Sequence, residues 1–195
     1  MDLDTPENRK ILIVDRHFSE LAYDASFSIQ SPCTEEYNCI AWAMGFNDRW
    51  VDCRDEDYIH KKWWPQDITK DREPVSLVKA FESLGFETCR NGKCESGYDK
   101  VALYCTPDQN DHLVWTHAAR ILKDNLYHSK IGGLFDIYHS AGDVFEKTEY
   151  GKVYQFMRRN VENRVITERI MRIPVISPND EDKERIARLI LSFYN

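Results

Sequence analysis

The sequence predicts an α+β fold in which helices precede an antiparallel meander. Three observations carry that prediction. Between residues 100 and 131, strand-like runs are separated only by short turns, which suits antiparallel hairpins. Upstream lie two short helical stretches, each closed by a glycine, Gly45 and Gly85. At the far end, Ile186, Leu189, Ile190 and Phe193 share one helical stripe over residues 180–194, with Asn179 or Asp180 as cap.

The elements follow in order. Residues 10–15 form a short apolar, β-branched run and read as a strand. Residues 27–30 are extended and lead through a loop of polar breakers, 31–36, to the helix at 38–45. Its alanines, Ala41 and Ala43, allow close approach to a sheet. Residues 47–71 are a long polar insertion in which Trp50, Trp63 and Trp64 pack the loop on itself. Leu77, Val78, Phe81 and Leu84 give the 75–84 stretch an amphipathic helical face. Strands are expected at 86–90, 100–105, 113–122, 126–131 and 150–160. Residues 134–139, after the Gly132-Gly133 break, read as a turn or short helix.

Length and composition set the class. At 195 residues the chain makes one sizeable domain, 1–195, with 42% hydrophobic and 12% aromatic residues to fill a core. A net charge of −7 gives no general attraction to nucleic acid or to anionic membrane, and neither is expected as a partner. The segment from Arg158 to Arg172 is locally basic. No apolar run nears the roughly 20 residues of a bilayer span, and the acidic N-terminus has no signal core, so a cytoplasmic location is expected. Free thiols are the default for the six cysteines. Cys89 and Cys94 flank a turn-rich tip that would bring them together for a disulfide or a metal.

Tyr37-Asn38-Cys39-Ile40-Ala41-Trp42-Ala43-Met44-Gly45 carries the chemistry. A thiol in the first turn of a helix faces unpaired N–H groups and the positive end of the peptide dipoles, which favour thiolate, the nucleophilic form. His117, within Thr116-His117-Ala118-Ala119-Arg120, sits on a strand among small residues and is the candidate base. The ring needs an orienting group. The hairpin turn at 124–125 places residues near 129–132 opposite His117, where Ser129 and Lys130 are the polar candidates. Asp136 and His139 follow and can fold back past the glycine pair; Ser129 and Asp136 rank level, and His128 and His139 are rivals for a supporting role. Oxyanion donors are the Cys39 N–H with Asn38 or Gln30, although Asn38 also suits a helix cap. Trp42 belongs with the aromatics that line a substrate groove or pack a loop.

These motifs, with the later Lys100-Val101-Ala102-Leu103-Tyr104, Ser129-Lys130-Ile131-Gly132 and Tyr150-Gly151-Lys152-Val153, resemble an uncharacterised, mainly bacterial domain family whose hallmark is an Asn-Cys-Ile-Ala-Trp-Ala helix. That family resembles the papain-like superfamily, including the NlpC/P60 and transglutaminase-like groups. The resemblance covers residues 27–159 and leaves 160–195 as an extension bearing an extra C-terminal helix. It implies a papain-like fold, with the Cys-bearing helix packed on an antiparallel sheet. It also implies a cysteine hydrolase or acyltransferase, such as a thiol protease, amidase or deamidase. The substrate would be an amide bond of a peptide or protein, with Cys39 as nucleophile, His117 as base and no cofactor. The third position departs from the common Asn, Asp or Glu. Two alternatives stand beside it. One is an inactive immunity or adaptor module whose basic strip and C-terminal helix form the binding face. The other is a zinc site from Cys89, Cys94, Cys105 and His112.

Overall fold

A computed structural model describes residues 3–54, 62–140 and 142–162. The fold is α+β, centred on a seven-stranded antiparallel sheet. Helix α1 (Pro6–Lys10) is capped by the Thr5 hydroxyl and starts on a proline. It runs on into a π-helical turn, Ile11–Asp15, where a strand was expected. The run is too short for its β-branched residues to outweigh a helix already begun, and it buries Leu12.

Strand β1 (Ser28–Ile29) leads to α2 (Cys39–Met44). Asn38 caps α2 by accepting from the Ala41 N–H at 3.0 Å, and Gly45 ends it in the left-handed region at φ 109°. The insertion that follows holds the two-residue parallel pair β2 (Trp50–Val51) and β3 (Lys62–Trp63). Helix α3 (Pro74–Glu82) buries Leu77 and Phe81, as its spacing predicts, and Ala80 beside them, while Val78 is only half-buried. The remaining strands are β4 (Glu87–Cys89), β5 (Tyr98–Pro107), β6 (Leu113–Lys123), β7 (Leu126–Lys130), β8 (Asp136–His139) and β9 (Lys152–Asn160). The turn or helix expected at 134–139 is therefore corrected to a strand. Gly132, at φ 51°, turns the chain back so that β8 pairs with both β7 and β1.

The sheet order is β1-β8-β7-β6-β5-β9-β4, so β5 to β8 form the expected meander. Each face carries its own core. Val101, Leu103, Ala118 and Met157 meet α2 and α3 on one side. Ala102, Tyr104, Ala119, Ile121 and Ile137 meet Leu12, Phe18 and Phe145 on the other. The C-terminal helix expected at 180–194, and Arg164, Arg169 and Arg172 of the basic strip, lie outside the described residues. Of that strip, Arg158 pairs with Glu87 and Glu95, and Arg159 is buried rather than solvated. Among the described residues no helix is long and apolar enough to cross a membrane.

Candidate active site

Cys39 is the first residue of α2, and α2 packs on β6 and β7. The β6–β7 ladder runs from Lys123↔Leu126 to Arg120↔His128 and stops there. Beyond that point the Ala118 N–H points to the Cys39 sulfur, as do the N–H groups of Ile40 and Cys39 itself. These donors pull the thiol pKa down, but burial outweighs them and holds it at about 11. The helix terminus was expected to favour thiolate. Cys39 as a residue is only 7% exposed, and loss of hydration costs the anion more than three N–H dipoles return.

Cys39 borders a cleft of about 390 Å³ that is also lined by Trp50, Arg72, Trp115, Gly132 and Tyr150, among others. Tyr150 joins the cleft to the interior, since its ring stacks on the His117 ring with centroids 4.1 Å apart. Gly151 makes this approach possible. Its φ is 74°, and a Cβ there would meet the Cys105 carbonyl oxygen at 2.2 Å.

His117 is fully buried among Tyr104, Phe145 and Tyr150. Strand alternation turns its ring to the face away from α2, the face of Ala119 and Ile121. Its Nε2 lies 3.0 Å from the Ser129 Oγ. Ser129 Oγ in turn lies 2.8 Å from the His139 Nε2, whose Nδ1 is 2.7 Å from the Ser140 carbonyl oxygen. The His117 Nδ1 is buried with no hydrogen-bond partner. No hydrogen bond joins it to Cys39. Burial, then the neighbouring His139, push the His117 pKa well below the ordinary imidazole value. Burial likewise holds His139 at about 4. At neutral pH the sulfur and both rings are uncharged.

The structure therefore brings Ser129 to His117 and sends Asp136 elsewhere. Asp136 Oδ2 accepts from the Tyr37 hydroxyl at 2.7 Å. Register explains the split. Lys130 pairs with Asp136 and Ser129 with Ile137, so Ser129 and His139 share one face while Lys130 and Asp136 share the other. Lys130 is buried on the α2 side, where its Nζ donates to the Thr34 and Leu134 carbonyls beside the Tyr37 ring. The sequence marked Lys130 only as a polar candidate opposite His117 and gave Tyr150 no role.

The expected oxyanion donors have other partners. The Asn38 amide donates to the Val51 carbonyl and its oxygen accepts from the Ala41 and Val51 N–H groups. Gln30 donates to the Ser28 hydroxyl on the exposed edge strand, away from the cleft. Trp42 packs on Tyr37 and His128, with the Arg120 guanidinium 3.9 Å from its ring centroid. Trp42 lines a second cleft with Lys100 and Arg120 rather than the Cys39 cleft. Trp64 stacks on Trp115 at 5.8 Å, so part of the tryptophan group is packing. All six cysteines are free, and Cys89 donates to the Asn91 carbonyl. Among the described residues no group of three or more His, Cys, Asp or Glu side chains comes together to hold a metal.

A family profile described as a domain of unknown function, DUF7689, matches residues 28–158. The chain belongs to the DUF7689 family. No curated protein and no solved structure matches it. The DUF7689 region runs from β1 into β9 and contains Cys39, His117, Ser129 and His139.

Proposed function

We propose that the chain is a papain-like cysteine hydrolase or acyltransferase acting on an amide bond of a peptide or protein. Cys39 attacks the acyl carbon and His117 takes the thiol proton on Nδ1. Ser129 holds the opposite side of the ring. The supporting observation is the buried His117 Nδ1, which has no hydrogen-bond partner although Nε2 is bound. A buried polar nitrogen left unpaired is costly and persists where a reaction uses it. Cys39 lines the cleft, and its sulfur meets the backbone N–H of Ala118, the residue that follows His117 on β6. The order of a Cys-bearing helix then a His-bearing strand agrees with this reading. Free cysteines suit a reducing compartment such as the cytoplasm.

The two groups rest as a neutral pair. Proton transfer then accompanies attack on a bound acyl group, which is general-base catalysis. Hydrolysis, deamidation and transfer to an amine diverge only after the acyl-enzyme forms.

One observation favours a second reading. The His117 ring faces away from α2, which suits a core hydrogen-bond network in an inactive protein-binding module of the immunity or adaptor kind. A panel of peptides carrying an epoxysuccinyl or vinyl sulfone group separates the two. The catalytic reading expects a single adduct on Cys39 by peptide mass mapping, formed about 100-fold more slowly in His117→Gln. Adducts spread evenly over the cysteines, or an unchanged rate in His117→Gln, would favour the binding module.

A further inference from the structure

The hydrogen-bond chain behind His117 ends on a group that can only accept. A backbone carbonyl has no proton to give. The 2.7 Å contact between His139 Nδ1 and the Ser140 oxygen therefore requires the proton on His139 Nδ1. In a neutral ring this leaves a lone pair on His139 Nε2. The Ser129 hydroxyl, 2.8 Å away, donates its one proton there. Its oxygen is then free only to accept, so at 3.0 Å it accepts from His117 Nε2–H. The lone pair of His117 is left on Nδ1, the nitrogen with no partner.

We propose that His139 is a positioning residue that fixes, through Ser129, the Nε2–H tautomer of His117 and so makes Nδ1 the base. This deepens the thiol acyl-transfer reading and rests on it for its catalytic consequence. The role is directional. The anchor is the main-chain carbonyl of Ser140, just past the strand that carries His139, so the orientation persists without any carboxylate behind the catalytic ring. It also accounts for a serine in a place where an amide or acid is usual. Ser129 is the relay, and the fixed acceptor lies one residue further along the chain of contacts. When His117 takes the thiol proton on Nδ1, its Nε2–H stays bonded to Ser129 and nothing behind it rearranges.

The test is ¹⁵N NMR of imidazole-labelled protein, read beside acylation of Cys39 by a peptide p-nitrophenyl ester, followed as released p-nitrophenolate. Wild type should give a protonated-type shift at His117 Nε2 and an unprotonated-type shift at Nδ1. His139→Gln supplies an amide oxygen to accept from Ser129. It should keep that signature and hold acylation within about tenfold of wild type. His139→Phe removes the acceptor. The Ser129 proton then turns to His117 Nε2, the signature inverts, and acylation falls by about 100-fold or more. Should His139→Phe not fold, Ser129→Ala breaks the same relay, and the wild-type spectrum decides alone. A proton on His117 Nδ1 in wild type, or an unaltered tautomer in His139→Phe, would overturn the proposal. So would a tautomer switch that leaves Cys39 acylation unchanged. Expected spectra with no acylation of Cys39 in wild type would sink the acyl-transfer reading and leave the tautomer relay standing.

Discussion

Alkylation of Cys39 by iodoacetamide should be slow at neutral pH and keep accelerating far into alkali. Burial holds this thiol at about 11, against about 8.5 for an unperturbed cysteine. At pH 7 the thiolate fraction is then about 10⁻⁴, compared with about 3% for an unperturbed thiol, a deficit of roughly 300-fold. A more basic thiolate is a better nucleophile, and a Brønsted slope of about 0.45 over about 2.5 pH units recovers roughly 13-fold. Cys39 should therefore react about 20-fold more slowly than a reference peptide thiol from ionisation alone. Its burial slows it further. The assay is mass spectrometry of the Cys39 peptide, with the reference thiol in the same tube, from neutral pH to about pH 10.5. The rate should climb close to tenfold per pH unit with no plateau. In His117→Ala this profile should barely move, because a neutral imidazole does not stabilise the thiolate. A plateau below about pH 8, abolished by His117→Ala, would refute the neutral resting pair and establish a thiolate–imidazolium pair instead.

Two further outcomes follow from the same geometry. Asn38→Ala removes the α2 cap and both hydrogen bonds to Val51. It should cost about 3 kcal/mol by denaturant titration, at about 1 kcal/mol per lost bond. Asn38→Asp keeps the acceptor and should recover most of that. Acid should also unfold the chain. His139 binds its proton at about 4 when folded and about 6.5 when unfolded, so its contribution is complete above about pH 6.5 and lost as the pH falls toward about 4. Its size is about 3 kcal/mol, and His117 adds in the same direction. The unfolding midpoint should be flat above about pH 7, fall below it, and fall less steeply in His139→Gln.

Where an element carries its own end signals, it was legible. The Cys helix was placed to within a residue because Asn38 caps it and Gly45 closes it at positive φ. The β5–β6–β7 hairpins were legible from their turns. Ile11–Asp15 was not, because four apolar residues in a row have no period of their own and the helix begun at Pro6 decides their state. Residues 136–139 were missed because paired glycines suggest that a sheet has ended, whereas here Gly132 reverses the chain into a further strand. In the site, Ser129 followed from the hairpin register. Asp136 and His139 lie three residues apart on one strand, so they face opposite sides, and only the ladder with β7 says which side holds His117.

One physical condition runs through the site. Burial raises Cys39 and lowers His117 and His139, so each titratable group is pushed toward its neutral form. A charge formed here has little water to stabilise it, which makes an idle thiolate–imidazolium pair unfavourable. Lys130 follows the same trend, because burial lowers its pKa and the nearby Asp136 only partly opposes this. Its Nζ is held by the Thr34 and Leu134 carbonyls on the α2 side of the sheet. The site is set for charge that develops only when an acyl group enters. Such a site would ignore small electrophiles and respond to a ligand that fills the cleft and displaces its water. That separation between poor alkylation and efficient acylation distinguishes a working site from a buried cysteine beside a satisfied histidine.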